Sequence, residues 1–194
     1  MRCAPPIGLV ESIAKQARVE VQCQIEPRVP PLNADRVRLR QILLNLLSKP
    51  IKFTPRGGKV TISAGQVASD CVIRVVDTGI GISAKDLPRV VLPFAQVESA
   101  QAGKRMGTGL GLPLSKGLVE QHEGSMMLAS VPDFGTTVTV RLPGLSVLDL
   151  QMGVETPGQS VNMKAWVSTP LTPPSSTTLK PAGGASWPAL PVSL

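Results

Sequence analysis

Asp77-Thr78-Gly79-Ile80-Gly81 follows directly on the apolar run Cys71-Val72-Ile73-Arg74-Val75-Val76, and the reading of the whole chain turns on that junction. The β-branched residues of the run predict a buried strand, ending at a carboxylate and two glycines. Glycines at alternate positions let a backbone turn sharply and come close to a ligand, while an aspartate accepts a hydrogen bond from a donor such as an exocyclic amine. The pattern describes a floor for a planar, amine-bearing ring. A second set, Gly107-Thr108-Gly109-Leu110-Gly111-Leu112, runs into the helical spacing of Leu112, Leu114, Leu118 and Val119. Backbone amides at a helix start suit phosphate oxygens. Two other readings stand beside these. Gly79-Ile80-Gly81-Ile82-Ser83-Ala84, with Glu98 downstream, also fits the dinucleotide fingerprint G-x-G-x-x-A, and either glycine set can be turn punctuation.

Composition narrows the choice of class. The 194 residues allow one domain with its own core plus an appendage. The net charge is +7, and Asp149, Glu155, Lys164 and Lys180 cancel after residue 142, so the basic excess lies in residues 1–142. A basic surface attracts nucleic acid, anionic lipid or a nucleotide. With no tyrosine and only 3% aromatic residues, the stacking platforms of a single-strand nucleic-acid binder are missing, so no nucleic-acid partner is expected. Cys3, Cys23 and Cys71 form no C-x-x-C pair, which argues for reduced, packed thiols. No apolar run reaches membrane-spanning length and no signal-peptide pattern opens the chain, so a cytoplasmic location without a membrane segment is expected.

Along the chain, Ile7–Ala14 has helical spacing and Val19–Ile25 alternates as a half-exposed strand. Prolines 27, 30 and 31 form a connection to Asp35, which is placed as an N-cap. Leu39, Ile42, Leu43, Leu46 and Leu47 then make one apolar stripe, opposite Arg38, Gln41, Asn45, Ser48, Lys49 and Lys52. That polar face suits water or a phosphate. Pro50 predicts an early helix end near Ser48. Lys59–Ala64 and Asp70–Val76 read as an antiparallel pair joined by a short glycine-containing turn. Residues 83–106 show less pattern and read as a mobile loop over the pocket. His122, before Glu123-Gly124, reads as a helix-cap partner. Ser125–Ser130 and Gly135–Leu142 predict two closing strands around Pro132-Asp133. From residue 143 onward Pro, Ser, Thr and Gly crowd the chain, which predicts a disordered tail that contains Trp166 and Trp187.

Four motifs in order make the chain resemble the ATP-binding catalytic domain of sensor histidine kinases, within the ATPase group that includes gyrase and the heat-shock chaperones. Arg38–Ser48 with Ile51–Pro55 looks like the family's N box, and Asp77–Gly81 like its first glycine box. Leu92-Pro93-Phe94 resembles the F box, and Gly107–Leu112 the second glycine box. The resemblance spans residues 7–142, leaving residues 1–6 as the remnant of an upstream linker and residues 143–194 as the tail. It implies an α/β two-layer sandwich, whose mixed, largely antiparallel sheet is covered on one face by helices, with a mobile ATP lid. It further implies that Asp77 accepts the adenine amine, that Gly79 and Gly81 line the base, and that Gly107, Thr108, Gly109, Leu110 and Gly111, with Lys104 and Arg105, cradle the phosphates. Asn45, Lys49 and Lys52 then face the triphosphate. No catalytic residue is assigned.

The family pattern Asn-x-x-x-Asn-Ala-x-Lys ends here in Lys49-Pro50-Ile51-Lys52. The second Asn of the family gives magnesium an oxygen, whereas a lysine ammonium offers no lone pair. ATP is therefore the expected cofactor, with magnesium held weakly through Asn45. The implied activity is γ-phosphoryl transfer to a histidine on a dimerisation domain or a partner kinase, with a response regulator downstream. No phosphoacceptor histidine is matched before Ile7, so the chain is read as the C-terminal piece of a kinase or a truncated product. The alternative is a degenerate nucleotide-binding or docking module in which Lys49-Pro50 has removed kinase activity. ATP hydrolysis ranks last, because the relatives that hydrolyse carry a glutamate base where Asn45 stands.

Overall fold

The structure is a computed structural model that describes residues 8–27, 29–95, 109–144 and 160–161. The chain opens with helix α1 (Gly8–Ala17), which buries Val10 and Ala14, and turns at Arg18 (φ 56°) into strand β1 (Glu20–Ile25). Two residues, Leu32–Asn33, form β2. Asp35 then caps helix α2 (Arg36–Phe53), its Oδ1 accepting from the Val37 and Arg38 amides at 2.7 and 3.1 Å. Those bonds satisfy two of the donors that a helix start leaves open, and they hold the Asp35 carboxyl below its ordinary pKa.

Strands β3 (Lys59–Val67) and β4 (Asp70–Asp77) follow as an antiparallel hairpin, and the short helix α3 (Leu87–Val90) comes after them. Helix α4 (Gly111–Gln121) leads into β5 (Ser125–Val131) and β6 (Gly135–Leu142). The sheet order is β1-β3-β4-β6-β5, with β1 parallel to β3 and every other pair antiparallel. Alternation sends Cys71, Ile73 and Val75 of β4 inward beside Val138, Val140 and Leu142 of β6. Onto that face pack α1, α2 and α4, with Leu39, Ile42, Leu43, Leu46 and Ile51 of α2 and Leu118 and Val119 of α4 joining one core. The expected two-layer α/β sandwich with a mixed sheet is what forms. The lid expected to lie over the pocket falls largely outside the described residues.

Three local expectations need correction. The β3–β4 turn is Ala68-Ser69, without glycine, and Ala68 takes the left-handed conformation itself (φ 54°). Gly65 lies inside β3 instead, where a Cβ would meet the Glu26 carboxylate at 2.5 Å. Residues 83–95 are not patternless: the Ser83 hydroxyl donates to Asp86 at 2.6 Å at the start of α3. The largest correction is at Pro50, since α2 continues through it to Phe53.

The proline removes the amide that would donate to the Leu46 carbonyl, at a cost of about 3 kcal/mol. Continuing the helix buries Ile51 completely and Pro50 with it, and lets the Thr54 amide donate to the Pro50 carbonyl at 2.9 Å. Full burial of an isoleucine stabilises by about 1.5–3 kcal/mol, which offsets most of the lost bond. Of the tail, Gly144 bridges to Leu32, and Ser160–Val161 form β7, antiparallel to β2. The remaining tail residues, including Trp166 and Trp187, lie outside the described residues.

Two substitutions separate these contributions. Ile51→Ala should cost about 2–5 kcal/mol in chemical denaturation. Pro50→Ala restores an amide worth about 3 kcal/mol and loses two buried methylenes at about 0.8 kcal/mol each, so it should stabilise by about 1 kcal/mol. Destabilisation by Pro50→Ala would show that the ring, rather than Ile51, carries the last turn of the helix.

Candidate functional site

β4 places its inward row as Cys71, Ile73, Val75 and Asp77, so strand parity alone drives a carboxylate into the edge of the core. Asp77 is 8% exposed. Its Oδ1 accepts the Gly79 amide at 2.8 Å and the Thr136 amide at 3.2 Å. Its second oxygen accepts no hydrogen bond from the described residues. Burial raises the Asp77 pKa above the ordinary carboxylate value, and the two amide bonds oppose that rise. The result is a fixed carboxylate with one oxygen committed and one left for a donor.

The loop after Asp77 is held by its own backbone. A Cβ on Gly79 would stand 2.7 Å from Asp77 Oδ1 and 2.9 Å from the Phe53 carbonyl, and one on Gly81 (φ 67°) would stand 2.1 Å from the Val131 carbonyl. Neither position admits a side chain. The Ile80 amide donates to the Phe53 carbonyl at 3.3 Å, and the Ile80 carbonyl accepts the Asp133 amide at 2.9 Å. The Ile82 amide donates to Ser130 Oγ at 2.8 Å, and that hydroxyl donates to the Gly135 carbonyl. The first glycine loop is thus pinned between the C-terminal end of α2 and the β5–β6 turn.

The polar face of α2 supplies the second part. Asn45 and Lys49 lie one turn apart, with Lys52 on the following turn. Lys49 is half-buried, and a Cβ on Gly111 would lie 3.5 Å from Lys49 Cε, so the lysine stem reaches the start of α4. Burial, and then the Lys52 charge, depress the Lys49 pKa. The Lys52 ammonium lies 5.7 Å from the Phe53 ring centroid. Asn45 Nδ2 is buried without a hydrogen-bond partner among the described residues, as is Thr54 Oγ1. An orphaned amide donor beside two ammoniums and a helix N-terminus is an arrangement for anionic oxygens.

Magnesium fits this arrangement poorly. Among the described residues no three His, Cys, Asp or Glu side chains converge on a point, and the α2 face offers one amide oxygen between cations. Like unit charges about 4 Å apart repel by about 4 kcal/mol at an effective dielectric near 20, and a divalent ion doubles that.

Gly109 (φ 71°) packs its Cα against the backbone of Phe94 and Ala95, within 3.0 Å of a Cβ position, and Leu110 is the N-cap of α4. Lys104, Arg105, Gly107 and Thr108 lie outside the described residues, as does Glu98. Phe94 is 74% exposed with φ 61°, and Leu92, Leu110 and Leu114 are exposed as well. His122 is the C-cap of α4. Its Nδ1 donates to the Leu118 carbonyl at 2.7 Å and its Nε2 accepts the Asp35 amide at 3.2 Å, which fixes the neutral Nδ1–H tautomer and ties the end of α4 to the start of α2. The Cys71 thiol is pushed up to about 12 by burial, so it is unreactive. Cys71 forms no disulfide, and Cys3 lies outside the described residues.

Thr136, Ser130 and the Phe53 carbonyl escaped the sequence reading. Thr136 is 59 positions from Asp77 and Ser130 is 48 from Ile82, so only the strand register brings them in. The one signal for them is the hairpin turn at Pro132-Asp133, which places the end of β5 and the start of β6 side by side.

The raised Asp77 pKa gives a testable sign. The charged form is disfavoured in the fold, so its cost is fully present above the folded pKa and vanishes as pH falls toward the ordinary value of 3.8. Asp77→Asn keeps an oxygen for the Gly79 and Thr136 amides and removes that cost. The ligand-free variant should melt no lower than the parent at pH 7, and its advantage should shrink to nothing in acid. A lower melting temperature at pH 7, measured by calorimetry, would show that the charge itself holds the loop.

Comparison with known proteins matches residues 34–145 to the family described as histidine kinase-, DNA gyrase B-, and HSP90-like ATPase. The non-motile and phage-resistance protein of Caulobacter vibrioides is 44% identical over 142 residues, which cover 71% of this chain and 17% of that protein. Histidine protein kinase DivJ of the same organism is 45% identical over 129 residues, covering 66% of this chain and 21% of DivJ. The chain spans about a fifth of the length of these curated relatives. The nucleotide-free catalytic domain of histidine kinase ThkA superposes with a TM-score of 0.60 at 23% identity, over 70% of this chain and 86% of that one, and shares the fold. A match over residues 34–145, more than half of the 194, settles the family: this chain belongs to the histidine kinase-, DNA gyrase B- and HSP90-like ATPases and carries their ATP-binding domain.

Proposed function

We propose that residues 7–142 form the catalytic domain of a two-component sensor histidine kinase, which holds ATP and passes its γ-phosphoryl group to a histidine on a dimerisation domain or another chain. The observation that carries the nucleotide reading is the buried Asp77 carboxylate, with one oxygen fixed by the Gly79 and Thr136 amides and the other without a bond to any described residue. That oxygen accepts the exocyclic amine of adenine, while the loop from Gly79 to Gly81 backs the base. Asn45, Lys49 and Lys52 take the phosphates from the α2 side, and Gly109, Leu110 and Gly111 from the start of α4. Lys104, Arg105, Gly107 and Thr108 are proposed to complete the phosphate cradle.

Transfer breaks the bond between the γ-phosphorus and the bridging oxygen and forms one to an imidazole nitrogen of the acceptor, which gives up its proton. The chain's contribution is positioning and charge neutralisation, the main sources of rate in phosphoryl transfer. Leu110 and Leu114, one turn apart and both exposed at the start of α4, with Phe94 and Leu92 exposed beyond β4, offer an apolar surface near the phosphates for the acceptor domain. No described helix is long and apolar enough to cross a membrane. The domain is proposed to act in the cytoplasm, with the phosphorylated histidine serving a response regulator downstream. The curated relative DivJ is named a histidine protein kinase, which supports the same reading. The competing reading, a nucleotide-binding module without transfer, rests on Lys49 and is separated by the transfer assay.

Asp77→Asn should weaken ATP binding at least tenfold, on the order of 1.4 kcal/mol, in calorimetric titration. Radiolabel from γ-labelled ATP should reach a separately supplied histidine-bearing dimerisation domain with the parent chain, and more slowly with the variant when ATP is limiting. Unchanged affinity in Asp77→Asn contradicts the pocket assignment. Tight ATP binding by the parent without label transfer favours the non-catalytic module.

A further inference from the structure

Ser130 lies opposite Thr136 on the β5–β6 ladder, and its hydroxyl has one proton to give and two lone pairs to offer. The Ile82 amide donates to Ser130 Oγ at 2.8 Å, and the Gly135 carbonyl, which can only accept, takes the Ser130 proton at 2.8 Å. The Thr136 hydroxyl stands 2.9 Å away, so it has to be the donor in that contact. Every hydrogen-bonding position of the Ser130 hydroxyl is then filled. The Gly135 carbonyl and the Thr136 amide belong to one planar peptide unit, and that amide donates to Asp77 Oδ1 at 3.2 Å. Asp77 Oδ1 also accepts the Gly79 amide. The bonds close a ring around the first glycine loop, from Asp77 through Gly79 and Ile82 to Ser130, and back through the Gly135–Thr136 peptide. A Cβ on Gly135 (φ 112°) would stand 1.9 Å from the Asp77 carbonyl, so that peptide lies hard against the end of β4.

We propose that Ser130 is the positioning residue for base recognition, its hydroxyl orienting the Gly135–Thr136 peptide whose amide aims the Asp77 carboxylate. The inference rests on the nucleotide reading above and adds to it a residue that acts without touching the ligand. Ser130 works on both ends of the ring at once: it holds the Ile82 end of the loop directly, and it holds Asp77 through the peptide. A hydrogen bond received at the carbonyl of a peptide strengthens the one given by its N–H, so the Ser130 proton reinforces the bond to Asp77. Removing the hydroxyl leaves the Ile82 amide without its acceptor and the Gly135 carbonyl without this donor. The peptide and the carboxylate then lose their common orientation, while α2 and the start of α4 are untouched. The effect falls on the base end of the site and not on the phosphate end.

The experiment is calorimetric titration of the full chain, as parent, Ser130→Ala and Ser130→Thr, with three probes: ATP, the purine riboside triphosphate that lacks the 6-amino group, and inorganic tripolyphosphate. The parent should prefer ATP to the deamino analogue by about tenfold or more, Ser130→Ala by about threefold or less, and Ser130→Thr, which keeps the hydroxyl, should regain most of the preference. Tripolyphosphate should bind Ser130→Ala within about twofold of the parent. A Ser130→Ala chain with the parent's preference overturns the inference and leaves the nucleotide reading intact. So does one that loses ATP and tripolyphosphate alike, since that is a general loss of structure. A parent that does not distinguish ATP from the analogue overturns the nucleotide reading, and this inference with it. A measurement on the parent alone makes the test independent of the variants' folding: ATP and the analogue should leave the Thr136 and Ile82 amide resonances at different positions, because only the amine draws on the carboxylate that the ring holds. Identical Thr136 and Ile82 shifts with both nucleotides, in a parent that prefers ATP, overturn the inference.

Discussion

A buried carboxylate oxygen shared by two backbone amides, Gly79 and Thr136 on Asp77 Oδ1, joins the two ends of the site. The bond to Gly79 shapes the first glycine loop, and the bond to Thr136 locks β4 to the start of β6. Removing the carboxylate oxygen would leave two amides near the core unpaired, each costing about 1–3 kcal/mol. Strand parity puts Asp77 there: the row that buries Cys71, Ile73 and Val75 ends on it. The sheet therefore decides which carboxylate is desolvated, and desolvation is what raises its pKa and makes its free oxygen a demanding acceptor.

The second constraint is the reach of α2. Its start is tied to α4 through His122, its middle presents Asn45 and Lys49, and its last carbonyl, on Phe53, receives the Ile80 amide. One helix thereby sets the spacing between the first glycine loop and the Asn45–Lys49 face. An end at Ser48 would have left Phe53 without a fixed place and Gly79 without the wall that excludes a side chain. The buried Ile51 keeps the helix going through Pro50, so a core residue fixes where α2 ends. Lys49 is held in helical geometry by the same continuation.

Much of this was legible in the sequence wherever a local pattern sufficed. The alternation of β4, the stripe of α2, the Asp35 cap and the position of His122 at a helix end all follow from spacing that one element alone determines. What escaped depends on tertiary contact. Propensity counts Pro50 as a breaker because it cannot weigh the burial of Ile51. Ser130 and Thr136 enter only through the register of strands distant in sequence. Gly81 is expected to line the base, and a Cβ there would also stand 2.1 Å from the Val131 carbonyl, so the chain's own backbone already forbids a side chain. A glycine motif thus records internal packing as well as any ligand.

The most direct measurement of the role given to Asp77 is a thermodynamic cycle that removes either the carboxylate or the amine it is meant to meet. ATP and the purine riboside triphosphate that lacks the 6-amino group would each be titrated into the parent and into Asp77→Asn. The account predicts that the parent prefers ATP by about tenfold or more and that the variant shows little preference, a coupling on the order of 1.4 kcal/mol. Equal discrimination by both chains would contradict it, because the amine would then be recognised by something other than Asp77.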